Sequence, residues 1–223
     1  MFTRPLFLIW MKYKILFLVF TVFVIRGMTQ VQKFPDGVYL TLKQLQNQTP
    51  AFCAKLRVIK RTSGDISMNG GNDYKLESDI DSINKKYIKK VILAYVKDDS
   101  IFLNGNYSKL ATWYSLCLTK GNFLAFKSYL QSDNAAMYGV LFGAIGGAIA
   151  GAVDAHKRYL CVLSLRTGNI RQLGKDYLTA RLKENPDLLE EFNKERTPVS
   201  DSTMLTYIER LNKITSPTSL PNP

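Results

Sequence analysis

Alternating apolar and polar positions dominate the middle of the chain and predict β-strands. Between residues 52 and 58 every second side chain is apolar, which is typical of a half-buried strand. Three later pairs of apolar runs are each joined by a polar turn, the pattern of a β-hairpin. The paired runs are 91–96 with 101–103, 112–118 with 123–130, and 159–165 with 170–173. The alternation therefore predicts an antiparallel sheet built from hairpins.

Helical signals lie on either side of these strands. Thr41 and Gln44 have the spacing of a capping box, which predicts a short helix from Leu42 to about Gln48. Near the end of the chain, apolar residues recur at helical spacing over 177–182, 188–192 and 205–211. The polar stretch 63–73 predicts a loop. The predicted fold class is α+β: an antiparallel β-hairpin sheet with short C-terminal helices, plus a glycine-rich apolar segment in the middle.

That glycine-rich segment, residues 135–153, interrupts the alternation. Its nineteen uncharged residues carry a glycine at every fourth position, namely Gly139, Gly143, Gly147 and Gly151. An α-helix of this length is about 28 Å long, close to the roughly 30 Å thickness of a bilayer's hydrocarbon core. The four glycines form one stripe, a glycine zipper of the kind that lets membrane helices pack closely. We expect this stripe to be a helix-packing surface.

A second interpretation of residues 135–153 stays open. Eleven of the nineteen residues are Gly or Ala, so the drive toward insertion in lipid is weak compared with that of a leucine-rich span. In a soluble domain the same small residues permit close packing of a helix or hairpin against a sheet. The segment therefore predicts either contact with a membrane or a second copy, or internal packing.

The N-terminal residues 1–29 have the pattern of a signal peptide. The apolar run 15–25 follows Lys12 and Lys14, and small residues precede Gln30. Met11 opens this pattern more directly than Met1 and is the alternative start. We expect a single α+β domain over residues 30–215, which contains the glycine-zipper segment, and a disordered tail over 216–223. The predicted location is the periplasm or outer envelope, with membrane association as an option.

The charge of the chain limits the classes of partner that it is expected to bind. The formal net charge is +12, and a basic protein favours acidic partners such as phospholipid headgroups. The basic residues are scattered, and we interpret the densest group, Lys85, Lys86, Lys89 and Lys90, as a solvated face. Nucleic-acid binding requires a denser patch with aromatic platforms, so no nucleic-acid partner is predicted. A membrane and a second copy of the chain are the expected partners.

Residues suited to catalysis or metal binding are sparse. Cys53, Cys117 and Cys161 match no metal or redox spacing, and they predict neither a metal site nor a defined disulfide. His156 is the only histidine, and we interpret it as a polar flank of the glycine segment. We predict no catalytic residue, no cofactor and no metal, and therefore a protein that is not an enzyme.

Two stretches of the chain carry a resemblance to a known family. They are FPDGVYLTLKQLQNQTP at 34–50 and YLCVLSLRTGNIRQLGKDYLTARLKENPDLLEEFNKERTPVSDSTMLTYIERLN at 159–212. Together they resemble a family of exported Gram-negative bacterial envelope proteins known only as a domain of unknown function. The resemblance implies the cell envelope as location and implies no catalytic residue.

These observations favour one function and leave one alternative. The first is a non-enzymatic, exported envelope protein that associates with a membrane or with itself through the glycine-zipper helix. The alternative is a soluble periplasmic or surface binding module in which residues 135–153 serve as internal packing.

Overall fold

The computed structural model describes residues 33–108, 110–129 and 157–215, which fall within one compact unit, Gln32–Ser216. Two antiparallel sheets and a set of short helices make up these described residues. The strands are β1 (Gly37–Tyr39), β2 (Arg57–Lys60), β3 (Tyr74–Glu77), β4 (Ala94–Lys97), β5 (Ser100–Asn104), β6 (Tyr114–Leu116), β7 (Phe123–Tyr129), β8 (Arg158–Ser164) and β9 (Ile170–Gln172). The helices are α1 (Leu42–Gln46), α2 (Ser63–Asn69), α3 (Lys85–Lys90), α4 (Gly105–Ser108), α5 (Lys175–Leu182), α6 (Pro186–Asn193) and α7 (Asp201–Thr215).

The first six strands form one sheet that curls back on itself. Their order is β1-β4-β5-β6-β3-β2, so β1 and β2 lie at opposite edges. The chain that leads into β2 nevertheless pairs with β1, because the Val38 amide donates to the Phe52 carbonyl at 2.9 Å and the Ala51 amide donates to the Val38 carbonyl at 2.8 Å. These bonds join the two edges. The curled sheet therefore has an interior and an open mouth.

The remaining three strands form a second sheet of order β7-β8-β9. It connects to the curled sheet through one bridge, between Cys117 and Phe126, and through a hydrogen bond from the Leu118 amide to the Ala125 carbonyl at 2.6 Å. Within the second sheet, β7 and β8 pair along their whole length, and Tyr129 stands opposite Arg158. The chain 130–157 is thus inserted at the end of a hairpin.

Side chains of alternating strand positions divide the core into three clusters, as the pleat of a strand requires. On β4, Tyr95 faces the interior of the curled sheet, whereas Ala94 and Val96 face the second sheet. On β8, Cys161 faces the curled sheet, whereas Leu160 faces the C-terminal helices. The order of layers is therefore curled sheet, second sheet and helices α5–α7.

The predicted fold class, α+β, is confirmed, and its hairpins and C-terminal helices appear close to the expected positions. Two sheets replace the one that the alternation suggested, because β6 and β7 share only a single bridge. The capping box is present, since the Gln44 amide donates to the Thr41 hydroxyl at 3.2 Å and the Gln44 side chain accepts from the Thr41 amide at 3.1 Å.

One local prediction was wrong. Residues 63–69, expected in a loop, form helix α2. The Asp65 amide donates to the Thr62 hydroxyl, which caps the first turn, and Gly70 ends the helix with a φ of 60°. Side-chain bonds from Arg61 and Asn69 to Asp65 add support. Polar contacts thus stabilise a helix that buries no residue.

Several sequence-based expectations fall outside the described residues. They concern the signal peptide 1–29, the tail 216–223, the segment 135–153 with its four glycines Gly139, Gly143, Gly147 and Gly151, and His156. Among the described helices, none combines the length and the apolar character needed to cross a membrane.

Candidate functional site

A cleft opens at the mouth of the curled sheet. It has a volume of about 750 Å³ and lies between strands β2 and β3 on one side and the chain 78–89 on the other. Buried Leu76, Ile83 and Ile88 contribute to its lining, and the same residues belong to the interior core of the curled sheet. Such a mouth is a common position for ligand sites in curled and barrel-like sheets. We call this cavity the mouth cleft.

Trp113 forms part of the wall of the mouth cleft and has a strained backbone. Its φ is 69°, a left-handed value that bulky residues rarely adopt. Neighbouring backbone holds it there: the Gly105 amide donates to the Trp113 carbonyl at 2.7 Å, and the Asn72 amide donates to the Thr112 carbonyl at 2.8 Å. Strain of this kind costs on the order of 1–3 kcal/mol and persists only where the surroundings enforce it.

Glycines allow this arrangement because two backbones approach Thr112 and Trp113 closely. A Cβ at Gly71 would lie 2.3 Å from the Thr112 hydroxyl and 2.8 Å from the Trp113 ring. A Cβ at Gly105 would lie 2.4 Å from the Ala111 carbonyl oxygen. A side chain at Gly71 would therefore collide with Thr112 and Trp113, and one at Gly105 with Ala111 and Asn72.

Arg61 lies beneath the mouth cleft and is a buried structural cation. Only 1% of its side chain is exposed. Its guanidinium donates to the Asp65 carboxylate at 2.7 Å and to the carbonyls of Gly70 and Asn72 at 2.7 and 2.8 Å. The hydrogen bonds from Arg61 and Asn69 lower the pKa of Asp65 to about 2. These bonds fix the chain from α2 to β3 along one side of the cleft.

Lys85 and Lys89 line the mouth cleft from helix α3. They are four residues apart and therefore lie on the same helix face. The Nζ atom of Lys89 is 4.0 Å from the centre of the Trp113 ring, and the Cζ atom of Arg61 is 5.4 Å from the same centre. Partial burial, and then repulsion from Lys85 and Arg61, lower the pKa of Lys89.

The end of helix α3 is fixed to the curled sheet by buried polar groups. The Asn104 amide group donates to the Ile92 and Lys89 carbonyls at 2.7 and 3.0 Å. The Tyr114 hydroxyl donates to the Ile88 carbonyl at 2.6 Å. Carbonyls at a helix end need such partners when water is excluded. The two lysines of the cleft are therefore carried by a rigid support.

A second feature is the root of the inserted segment, which we define as Tyr129, Lys157, Arg158 and Tyr159. Arg158 donates to the Tyr129 hydroxyl at 2.9 Å and pairs with Asp73 at 2.8 Å. Lys157 lies 5.5 Å from the ring centre of Tyr159. Tyrosines flanked by basic side chains are typical of the boundary between a membrane and water.

The cysteines differ in exposure. Cys117 and Cys161 are buried, and burial raises the pKa of each thiol to about 12. Cys53 is exposed and lies on the same side of the chain entering β2 as the exposed Lys55 and Arg57. All three are free thiols. Among the described residues, no group of acidic, histidine or cysteine side chains is arranged to hold a metal ion.

Sequence reasoning missed the residues that build the mouth cleft. Lys85 and Lys89 were interpreted as part of a solvated face, and their spacing of four was the available signal. For Trp113 and Arg61 there was no local signal, because the φ of one and the burial of the other depend on chain segments that are distant in sequence.

Comparison with known proteins identifies the family of this chain. Among curated proteins and among solved structures, no match is found. The model of one family, described as a family of unknown function (DUF6563), matches residues 37–215. This match covers nearly all of both stretches that carried the resemblance and confirms a domain of unknown function. The chain therefore belongs to the family of unknown function DUF6563.

Proposed function

We propose that this protein is a non-enzymatic, exported protein of the cell envelope that associates with a membrane, or with a second copy of itself, through residues 135–153. The signal-like pattern of residues 1–29 supports export. The single observation that carries the membrane contact is the position of the segment. It is inserted between Tyr129 and Arg158, which are directly paired in the β7–β8 hairpin.

The paired ends restrict how the segment meets a bilayer. A single crossing would leave Arg158 on the opposite side from Tyr129, which their pairing forbids. Two helical crossings need about 20 apolar residues each, and the segment has nineteen in total. The proposed contact therefore enters and leaves the same face of the membrane, with the chain lying within one leaflet or at its surface.

The composition of the root supports the same arrangement. Tyr129 and Tyr159 have amphipathic rings of the type enriched at headgroup depth. Lys157 is an exposed cation that attracts anionic lipid headgroups, worth about 1 kcal/mol for a basic residue near the surface, whereas Arg158 is paired with Asp73. This composition supports a contact between the described domain and the surface of a bilayer.

Extraction with alkaline carbonate tests the membrane contact. The native protein is expected to stay in the membrane pellet. A variant in which Asn-Gly replaces residues 130–157 is expected in the soluble fraction, since Tyr129 and Arg158 are already paired and a two-residue turn closes such a hairpin. Its circular dichroism and cooperative unfolding check that the domain is intact. Release of the native protein by carbonate would contradict the membrane contact and leave self-association or a soluble binding module.

Crosslinking tests the glycine stripe. Gly143→Leu with Gly147→Leu is expected to abolish crosslinked oligomers without affecting export, because two large side chains separate the packed helices. Ala144→Leu with Ala148→Leu, at the same spacing but off the stripe, is the matched control and should retain them. Misfolding of the glycine variant alone would instead indicate internal packing.

A further inference from the structure

Two lysines of the mouth cleft have no ion-pair partner among the described residues. The other exposed cations of its lining are paired: Arg57 with Glu77 at 3.1 Å and Lys75 with Glu77 at 3.1 Å. Lys85 and Lys89 form no salt bridge within the described part of the chain. A fixed pair of positive charges on one helix face thus points into the cleft.

In the absence of an anion, Lys85 and Lys89 repel each other, and the surroundings of Lys89 add to this unfavourable energy. Lys89 and the buried Arg61 both lie against the Trp113 ring, and Lys85 is one helical turn away. Like charges at this spacing repel each other on a helix. An anion held between Lys85 and Lys89 would remove that repulsion, and partial burial would strengthen its attraction to both.

The rest of the lining limits the class of anion. Amide and hydroxyl groups of Asn69, Ser78, Asn84 and Thr112 line the same cleft and suit a ligand that carries hydroxyl groups. Its carboxylates are Asp65 and Glu77, which are both paired with cations, and Asp81. A phosphate monoester has about two negative charges at neutral pH, which match the two ammonium groups. The volume of about 750 Å³ lies in the usual range for small-molecule sites.

We propose that the mouth cleft binds a small polyhydroxylated phosphate monoester, such as a sugar phosphate, with its phosphate between Lys85 and Lys89 and its body beside Trp113. The strained backbone of Trp113 places its indole ring in the wall of the cleft, where it would contact the ligand. The site uses none of the residues 130–157 and is independent of the proposed membrane contact.

Calorimetric titration of the full chain tests this site. Glucose 6-phosphate is expected to bind saturably, glucose is expected to give no signal, and inorganic phosphate is expected to bind more weakly. Lys85→Gln with Lys89→Gln should weaken binding at least tenfold. The matched control is Lys86→Gln with Lys90→Gln, which removes the same charge from the same helix at exposed positions that do not line the cleft, and it should change affinity less than twofold.

Tryptophan fluorescence gives an independent readout. The chain has two tryptophans, and Trp113 is the one outside the signal-like N-terminus. Glucose 6-phosphate is expected to change its emission in the native protein and in the control variant, but not in the Lys85→Gln, Lys89→Gln variant at the same concentration.

Three outcomes would overturn the proposal. The first is the absence of saturable binding by glucose 6-phosphate. The second is an equal loss of affinity in the two double variants, which would indicate general charge attraction. The third is lysine-dependent binding of phosphatidic acid vesicles without binding of free glucose 6-phosphate, which would assign the cleft to a lipid headgroup.

Discussion

At the scale of single residues, buried polar groups connect separate segments of the chain through hydrogen bonds. Arg61 connects the end of β2, helix α2 and the chain before β3 through bonds to Asp65, Gly70 and Asn72. Only 1% of its side chain is exposed, so water cannot replace these bonds if they are lost. The wall of the mouth cleft therefore depends on one guanidinium.

Removal of Arg61 is expected to be costly. In Arg61→Met the buried Asn72 carbonyl and the partly buried Gly70 carbonyl lose their side-chain donor, and an unsatisfied buried group costs about 1–3 kcal/mol. We expect the free energy of unfolding in urea to fall by about 2–4 kcal/mol. The control Arg57→Met breaks a pair of exposed side chains and should cost less than about 1 kcal/mol. Equal losses in the two variants would contradict the structural role of Arg61.

The Asp65 carboxyl makes this contact pH-dependent. Its pKa falls from 3.8 to about 2 on folding, through hydrogen bonds from Arg61 and Asn69. A lowered pKa means that the stabilisation is complete above pH 3.8 and is lost as the pH falls toward 2. The difference in unfolding midpoint between native protein and Asp65→Asn should therefore be largest near pH 5 and shrink by pH 2. A difference that stays constant over this range would contradict the assignment.

At the scale of secondary-structure elements, two hydrogen bonds from one side chain to the backbone of β7 hold the last helix in place. The side chain of Asn212 on α7 donates to the Phe123 carbonyl at 2.8 Å and accepts from the Phe123 amide at 2.8 Å. Gly121 leaves room for it, since a Cβ there would lie 2.5 Å from Asn212 Cγ. Apolar contacts of Tyr207, Ile208 and Leu211 supply the rest of the docking energy.

Loss of this amide should loosen the docking of α7 more than its size suggests. In Asn212→Ala the Phe123 amide loses its partner at a partly buried position, whereas the Phe123 carbonyl keeps its bond from the Thr119 hydroxyl at 2.9 Å. The expected loss of stability is about 1–3 kcal/mol. Asn193→Ala makes the same change at an exposed position on α6 and should change stability by less than about 0.5 kcal/mol. Denaturant titrations measure both. Unchanged stability of Asn212→Ala would show that apolar packing alone holds α7.

At the scale of the whole molecule, the chain that leads into β2 closes the curled sheet against β1. The Val38–Phe52 bridge joins the edges, and the Tyr95 hydroxyl reaches across the interior to donate to the Ala54 carbonyl at 3.2 Å and to accept from the Leu56 amide at 3.1 Å. Closure removes a free strand edge, which is a risk for aggregation. It also creates the mouth in which the cleft lies.

Gly37 makes this closure possible and provides its test. Its φ is 147°, and a Cβ would lie 2.8 Å from the Pro50 Cβ and 2.9 Å from the Phe52 carbonyl oxygen. Gly37→Ala is therefore expected to destabilise the fold by about 2–3 kcal/mol through overpacking and backbone strain. Gly64→Ala should do the opposite: nothing lies within 4 Å of that Cβ, and alanine favours helix α2 by about 0.5–1 kcal/mol. Thermal unfolding distinguishes the two signs.

The sequence by itself determined the local parts of this protein. The hairpins β4–β5 and β8–β9, the capped helix α1 and the C-terminal helices follow from alternation, turn residues and caps, because each depends on neighbours a few residues away. Helix α2 escaped detection since its support is polar side chains that an apolar pattern does not register.

Only the tertiary structure decided where these parts meet. The closure at Val38 and Phe52, the burial of Arg61, the left-handed backbone of Trp113 and the pairing of Tyr129 with Arg158 around the inserted segment all join distant residues. These features are stabilised by the exclusion of water and by contacts with residues that lie outside a short stretch of sequence. A pattern read from neighbouring residues therefore does not include them. For this reason the fold class was predictable and the mouth cleft was not.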